Sequence, residues 1–212
     1  MNKQSIQFFK TLSQNLQDPK KIKFSLENKD SIRYDINLIK RFAGSDKTLL
    51  DLGSGTGLIV NRIFIYFKKI VAIELFKEFS KFIKKEKTII VLNQNLLNIN
   101  IEDKFDVVTM FGTAHYFNEE ESFKIYNKVF NLLEKEGIFI LKNQFGVHKT
   151  KTITYSKELE SNYYAQYREL NFEIKRLKNI GFKIEQIVDI YPPEANRWKD
   201  THFYAIVCKK KD

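Results

Sequence analysis

The stretch with the clearest chemical signature is a glycine-rich turn that follows a short apolar segment. Residues 48–52 read TLLDL, and Gly53, Gly55 and Gly57 follow at alternate positions. Glycine lets a backbone turn tightly and approach a ligand closely, because it has no Cβ. The apolar segment after the turn predicts a helix whose first N–H groups and positive dipole end face the same ligand. At the first strand-to-helix turn of an α/β sheet, this arrangement predicts a site for a nucleotide-type cofactor.

The spacing of the glycines separates two classes of cofactor site. A dinucleotide fingerprint has the form G-x-G-x-x-G/A, but its third small position is occupied here by Leu58. The chain instead reads D-x-G-x-G-x-G from Asp51, which resembles the first motif of the class I S-adenosylmethionine-dependent methyltransferases. The resemblance covers residues 48–142 by motif and implies S-adenosylmethionine as the cofactor, with a nicotinamide-dependent oxidoreductase as the alternative. The contacts that it implies at this turn are Asp51, Gly53, Ser54, Gly55 and Gly57.

Polar residues also follow the next two predicted strands. Glu74 ends the strand predicted over 69–73, about 20 residues after the first glycine, where a carboxylate can accept hydrogen bonds from both ribose hydroxyls. After the strand predicted over 88–92, Asn95 matches the family position that pairs with the adenine amino group, although an Asp is more frequent there. The resemblance adds Leu75 and Leu96 to the predicted cofactor contacts.

A histidine after the fourth predicted strand is the candidate catalytic base. The strand over 105–110 continues into Phe111 and then His115, in a segment that borders the transferable methyl group in the resembling family. Neutral imidazole titrates near physiological pH, so His115 could remove a proton from the methyl acceptor. The alternative is that His115 caps the following helix or packs structurally. Phe111 is expected to contact the cofactor.

The N-terminal residues predict two helices, over 5–16 and 31–42, separated by Asp18-Pro19. Asp30 or Ser31 is the expected N-cap of the second helix. In the resembling family such helices cover the active site; for the first helix, simple packing is the alternative. By position, Arg33 is expected near the cofactor carboxylate and Tyr34 near the substrate.

The remaining segments complete the predicted sheet. A helix over 119–134 and a strand over 138–141 are followed by a polar loop over 143–155 and a helix over 156–179. Strands over 183–190 and 201–209 form a terminal hairpin. The fold that the resemblance implies is α/β, a Rossmann-like doubly wound seven-stranded sheet in the order 3-2-1-4-5-7-6 with its last strand antiparallel. One domain spans residues 1–212, with a helical lid over 1–45 and the core over 46–212. Further expected substrate contacts are Tyr116, Gln144, Tyr163 and Tyr164.

Composition narrows the class of protein. The 212 residues include 36 Lys and Arg against 26 Asp and Glu, a formal net charge of +10, and one Cys. The basic residues are spread along the chain, so nucleic-acid binding is not favoured, although an RNA-binding methyltransferase is the first alternative. No signal peptide or membrane span is predicted, which favours a cytoplasmic location. No thiolate zinc site or disulfide framework is possible with one Cys.

The sequence also predicts whether the enzyme needs a metal ion and what kind of methyl acceptor it uses. Metal-dependent relatives carry carboxylates after strands four and five, where this chain has Phe111-Gly112 and Asn143-Gln144, so a metal-independent enzyme is expected. A small polar metabolite is the expected acceptor, methylated on oxygen or nitrogen. A general similarity to methyltransferases of sugars and capsule building blocks, including phosphoramidates, suggests that narrower group. The oligomeric state is not predicted.

Overall fold

The computed structural model describes residues 1–22, 31–156, 160–192 and 200–211. Seven strands form one sheet in the order β3-β2-β1-β4-β5-β9-β8, and β6 pairs with β7 in a separate hairpin. The strands are β1 Gly44–Leu52, β2 Phe67–Ile73, β3 Ile89–Leu92, β4 Phe105–Phe111, β5 Leu133–Gly146, β6 Lys151–Ser156, β7 Ser161–Tyr167, β8 Phe182–Asp189 and β9 Thr201–Lys210. The helices are α1 Lys3–Asn15, α2 Ser31–Lys40, α3 Val60–Ile63, α4 Lys77–Ser80, α5 Glu119–Leu132 and α6 Leu170–Ile180.

The sheet has the predicted doubly wound form. Strands β3, β2, β1, β4 and β5 are parallel, whereas β9 runs antiparallel to both β5 and β8. Successive side chains of a strand point to opposite faces, and Leu49 and Leu50 accordingly join different buried clusters. One cluster includes Tyr126 of α5, and the other includes Ile39 of α2. The apolar faces of amphipathic helices therefore cover both sides of the sheet, which explains why the central strands are continuously apolar.

Two predictions for residues 143–179 were wrong. The polar loop predicted over 143–155 is instead the end of β5, which pairs with β9 as far as Gly146, followed by β6. The helix predicted over 156–179 is strand β7 followed by the shorter α6. In β7 the alternate residues Tyr163, Ala165 and Tyr167 are buried, so the period of the segment is two and not 3.6.

Helices α2 and α5 end at Lys40 and Leu132, each two residues before the end that the sequence predicts. The helix after the glycine-rich turn is the single turn α3. Helix α5 ends at Leu132, and the next residue already pairs with β4, opposite Phe105. Asn118 begins α5 with a capping box in which Glu121 is the reciprocal partner. Helix α2 begins at Ser31, and Asp30 lies outside the described residues.

The hairpin and the first helix lie against each other at the carboxyl ends of the parallel strands. The buried Ser5 hydroxyl donates to the carbonyl of Tyr164 over 2.9 Å. The rings of Phe8 and Tyr163 meet edge to face with 5.3 Å between centroids. No helix in the described ranges is long and apolar enough to cross a membrane.

Candidate active site

The glycine-rich turn lies between β1 and α3 and is hydrogen-bonded to the end of the neighbouring strand β2. The N–H groups of Gly53 and Ser54 both donate to the carbonyl of Ile73, over 2.8 and 2.9 Å. Gly53 has φ of 79°, and a Cβ on it would lie 2.4 Å from the Oγ1 of Thr113. A side chain there would meet both backbone strain and a steric clash. The turn therefore forms a smooth backbone floor against which a ligand can lie.

A buried carboxylate lies just below this floor. Asp51 is 5% exposed, and its Oδ1 accepts a 2.7 Å hydrogen bond from the hydroxyl of Thr109. Burial raises the pKa of Asp51, partly opposed by hydrogen bonds from Thr109 and Ser54 and by the charge of Lys142. A positively charged ligand group in the cavity would stabilise the ionised form of this carboxyl group.

Glu74, at the end of β2, presents its carboxylate to the same cavity. One oxygen accepts from the N–H of Gly55 and the other from the N–H of Phe76, each over 2.9 Å. Burial raises the pKa of Glu74, while these backbone hydrogen bonds act in the opposite direction. A carboxylate has about four acceptor positions, so capacity for two hydroxyl donors remains. Its geometry therefore fits the ribose role implied by the sequence.

Asn95 begins the single helical turn Leu96–Asn98 after β3. Its side-chain oxygen accepts from the N–H of Leu97 over 3.0 Å. An amide oxygen has two lone pairs, so it can also accept from an amino group of a ligand. Asn93 fixes the preceding loop, because its amide donates to the carbonyl of Glu74 over 3.0 Å. These contacts hold the loop after β3 against the end of β2 that carries Glu74.

His115 lies in the turn after β4 and contacts a residue that sequence reasoning had placed in a loop. Its Nδ1 lies 2.6 Å from the Oδ1 of Asn143, and both side chains are buried. With an amide oxygen as the acceptor, Nδ1 carries the hydrogen and Nε2 retains its lone pair. The ring lies 4.0 Å from that of Tyr116 and 5.2 Å from that of Tyr167, measured between centroids.

A buried arginine holds the turn that carries His115. Arg168, directly after β7, donates to the carbonyl of Ala114 over 2.9 Å and to that of Phe117 over 2.7 Å. Its guanidinium also forms an ion pair with the buried Glu173. Both ends of the His115 turn are therefore fixed by one side chain. No sequence signal identified this role, because Arg168 lies inside a segment predicted as helix.

These elements surround one cavity of about 290 Å³. Aromatic side chains form much of its wall: the Tyr116 ring lies 4.8 Å from that of Phe9, and the Tyr116 and Tyr163 hydroxyls are 3.0 Å apart. Gln144 also faces it and donates to Thr201 over 2.6 Å. The predicted site residues in the lining are Asp51, Gly53, Ser54, Gly55, Glu74, Leu75, Asn95, Leu96, Phe111, His115, Tyr116, Gln144 and Tyr163.

Four predicted site residues lie outside this lining. The guanidinium of Arg33 packs on the Tyr34 ring, 5.0 Å from its centroid, at the surface of α2. Tyr164 points to the opposite face of β7 from Tyr163, as strand geometry requires. Gly57 stabilises the turn: its N–H donates to Ser54 over 2.9 Å, and an added Cβ would lie 2.7 Å from the side chain of Ile83.

The residues present fit the cofactor that the sequence implied. The floor at Gly53 excludes side chains, Glu74 offers acceptors for hydroxyl groups, and the buried carboxylate of Asp51 favours a positively charged ligand. Among the described residues, no group of three or more His, Cys, Asp or Glu side chains is arranged to hold a metal ion. Metal independence remains a prediction.

Residues 50–141 match a family model described as a methyltransferase domain. The S-adenosylmethionine-dependent methyltransferase from Clostridium acetobutylicum has a similar fold, with a TM-score of 0.65, 18% identity and coverage of 98% of this chain and 99% of that chain. The 1,6-didemethyltoxoflavin-N1-methyltransferase from Burkholderia thailandensis, solved with its substrate and S-adenosylhomocysteine, gives a TM-score of 0.71, 14% identity and coverage of 87% and 80%.

A curated relative is the ribosomal RNA small subunit methyltransferase A of Mesomycoplasma hyopneumoniae, 28% identical over 132 residues, or 59% of this chain. The chain spans about half the length of that relative, 50%. Over residues 50–141 the chain therefore matches a methyltransferase domain, and its fold is that of S-adenosylmethionine-dependent methyltransferases. The match is to a methyltransferase domain, so the nicotinamide-dependent alternative has no support from these comparisons.

Proposed function

We propose that the protein transfers a methyl group from S-adenosylmethionine to an oxygen or nitrogen of a small polar metabolite, without a metal ion. The observation that carries this proposal is the position of His115. Its side chain lines the same cavity as the glycine-rich turn and Glu74, and Asn143 leaves its Nε2 able to accept a proton. The residues proposed to hold the cofactor and the proposed proton acceptor therefore line one cavity.

The chemistry follows from the placement of these residues. When bound, S-adenosylmethionine supplies an electrophilic methyl carbon. Glu74 and the turn at Gly53 hold the cofactor, while the aromatic wall excludes water and orients the acceptor. The acceptor oxygen or nitrogen would take the methyl group as the methyl–sulfur bond breaks, S-adenosylhomocysteine would leave, and the acceptor proton would pass to the Nε2 of His115. The resulting imidazolium keeps its Nδ1 hydrogen bond to Asn143 and later releases the proton to solvent.

The covering of the cavity favours a small acceptor over a polymer. Phe9 of α1 and Tyr163 of β7 both line the cavity, and the buried Ser5 joins these two elements. We propose that residues 1–45 contribute a lid, as the sequence suggested. A polymer would need this cover to move aside, whereas a small molecule fits beneath it. The fold neighbour from Burkholderia, which methylates the small molecule 1,6-didemethyltoxoflavin, supports this proposal.

Within small molecules, a sugar or capsule building block such as a phosphoramidate is the narrower proposal. It rests on the general resemblance stated for the sequence. The experiment is a screen with labelled S-adenosylmethionine against sugar nucleotides, phosphorylated sugars, phosphoramidates, small heteroaromatic amines and bulk RNA. Labelling of one of the first three groups would support the narrower proposal. Labelling confined to the heteroaromatic amines would refute it but retain a small-molecule acceptor.

RNA methylation is the second candidate, and two observations favour it. The chain is basic, with a net charge of +10, and one curated relative is named as a ribosomal RNA methyltransferase. An RNA-binding enzyme should bind RNA tightly at physiological salt and lose affinity steeply as salt rises. Filter binding at two salt concentrations tests this candidate, and sub-micromolar affinity at physiological salt would support RNA over a metabolite.

A further inference from the structure

Three buried polar side chains from distant parts of the chain meet at one end of the cavity. The Lys142 ammonium, on β5, donates to Oδ2 of Asp35 over 2.8 Å and to the hydroxyl of Tyr191 over 2.7 Å. The Tyr191 hydroxyl donates in turn to Asp35, with 2.8 and 2.9 Å to its two oxygens. All three residues are at least 94% buried, and all three line the cavity.

The cluster lies beside the end of β4. The Lys142 ammonium is 4.9 Å from the centroid of the Phe111 ring, and the Lys142 carbonyl accepts from Gly112 over 2.8 Å. Lys142 and Asp35 also act electrostatically on Asp51, the first with a lowering and the second with a raising effect on its pKa. Two carboxylates and one ammonium therefore lie together beside the glycine-rich turn.

This set of charges complements the amino-acid end of the cofactor. The methionine moiety of S-adenosylmethionine carries a sulfonium, an ammonium and one carboxylate, which are two positive charges and one negative charge. The end of the cavity beside Lys142 offers the opposite set, because Asp35 and Asp51 are the carboxyl groups there and Lys142 is the ammonium, while Glu74 lies at the end of β2. Because charges interact strongly in a buried cavity, this complementarity favours one orientation of the ligand.

The hydrogen-bonding capacity of Lys142 adds a second argument. An ammonium has three hydrogens, and within the described residues its hydrogen bonds go to Asp35 and Tyr191. Desolvation of a charged donor is costly when one of its hydrogens has no acceptor. The third hydrogen can therefore serve a ligand oxygen in the cavity.

We propose that Lys142, held by Asp35 and Tyr191, binds the α-carboxylate of the cofactor's methionine moiety. This proposal rests on S-adenosylmethionine being the cofactor. It assigns to Lys142 the role that the sequence predicted for Arg33. The guanidinium of Arg33 instead packs on the Tyr34 ring at the surface of α2. Asp35 and Tyr191 are positioning residues, because they fix the ammonium. A carboxylate of the acceptor would satisfy the same chemistry, so the experiment must distinguish the two sources.

The test is calorimetry with two ligands that differ in the amino-acid portion. S-adenosylhomocysteine contains the α-carboxylate, whereas 5′-methylthioadenosine keeps the adenine, ribose and sulfur but lacks it. Lys142→Met should weaken S-adenosylhomocysteine by about 10–100-fold, the range for a charge-assisted hydrogen bond, and leave 5′-methylthioadenosine within about twofold. The matched control is Lys68→Met, an exposed lysine of β2, which should change neither affinity.

Each outcome decides the proposal. Equal weakening of both ligands would overturn it, because that result indicates general damage to the cavity. Unchanged affinity for both ligands would also overturn it. If the KM for the acceptor rose at the same time, the result would indicate that Lys142 binds the acceptor. If Lys142→Met fails to fold because Asp35 is left unpaired, Lys142→Met combined with Asp35→Asn removes both charges and should show the same ligand difference. Failure of the wild-type protein to bind S-adenosylhomocysteine would instead contradict the proposed function.

Discussion

His115 and Asn143 meet across the ends of β4 and β5, with 2.6 Å between Nδ1 and Oδ1, although 28 positions separate them in the sequence. The amide oxygen of Asn143 fixes the hydrogen of the imidazole on Nδ1 and leaves Nε2 as the basic nitrogen. This pairing makes a prediction that can be checked without knowing the methyl acceptor. Nitrogen NMR of the ring should find Nδ1 protonated and Nε2 unprotonated at neutral pH. The opposite tautomer would contradict the assigned pairing.

Asn143→Asp should move the acidic limb of the pH–rate profile to higher pH. A carboxylate at this position stabilises the imidazolium, so the pKa of His115 should rise relative to the wild-type enzyme. Asn143→Ala should lower kcat without this shift, because the tautomer is no longer fixed. Asn131→Asp, a surface change at the end of α5, is the control and should leave the profile in place. A profile that is identical in wild-type and Asn143→Asp enzymes would show that His115 does not control the rate.

Cofactor affinity should rise with pH through the titration of Glu74. Burial raises the pKa of Glu74 in the free protein. Ribose hydroxyls that donate to the carboxylate favour its charged form, which lowers the pKa, so binding releases a proton. Calorimetry of S-adenosylhomocysteine in buffers of different ionisation enthalpy measures this release. Glu74→Gln should abolish the Glu74 component, and Glu74→Ala should weaken binding by about 1–3 kcal/mol. Affinity with the same pH dependence in wild type and Glu74→Gln would contradict the ribose role.

The raised pKa of Glu74 also predicts how the stability of the cofactor-free protein depends on pH. A carboxyl group whose pKa is raised by folding stabilises the folded state fully below its unfolded pKa, and this stabilisation is lost as the pH rises through the folded pKa. Asp51 and Glu74 both have raised pKa values because they are buried. Thermal unfolding of Glu74→Gln should therefore depend less on pH above about 4 than that of the wild type. An identical slope in the two proteins would rule out this contribution.

The glycine-rich turn could be predicted because it depends on local sequence, whereas the strand order was predicted from the family resemblance that this turn carries. Alternate glycines after an apolar strand specify the turn, and continuous apolar runs specify buried parallel strands. The end of β5 could not be predicted, because its polar residues Lys142 and Asn143 are buried only through partners elsewhere in the chain. Asp35 becomes a neighbour of Lys142, and His115 a neighbour of Asn143, only when the protein folds.

The β7 error has a different cause. The tyrosines at 163, 164 and 167 match helical spacing, whereas the buried set Tyr163, Ala165 and Tyr167 has period two. A single-sequence pattern cannot separate the two readings, because pairing with β6 decides between them. The same error concealed Arg168, which was assigned to a helix and not to the end of a strand facing the His115 turn.

A comparison of Arg168→Met with a double variant should separate the effect of Arg168 on stability from its effect on catalysis. Removing the guanidinium leaves Glu173 buried with one fewer partner, which should cost about 3–5 kcal/mol of unfolding free energy. Arg168→Met with Glu173→Leu should recover part of that loss. The kcat should stay low in both variants, because the carbonyls of Ala114 and Phe117 remain without their donor. Recovery of kcat together with stability would show that Arg168 has a purely structural role.

The most direct test of the account is methyl transfer by His115→Ala. Labelled S-adenosylmethionine is incubated with the acceptor found in the screen, and label is measured separately in the small-molecule and RNA fractions. We expect label in the small-molecule fraction, with kcat about 10²–10⁴-fold lower in His115→Ala and unchanged affinity for S-adenosylhomocysteine. The acidic limb of the pH–rate profile should also disappear. Label in RNA, or near-normal kcat in His115→Ala, would contradict the account.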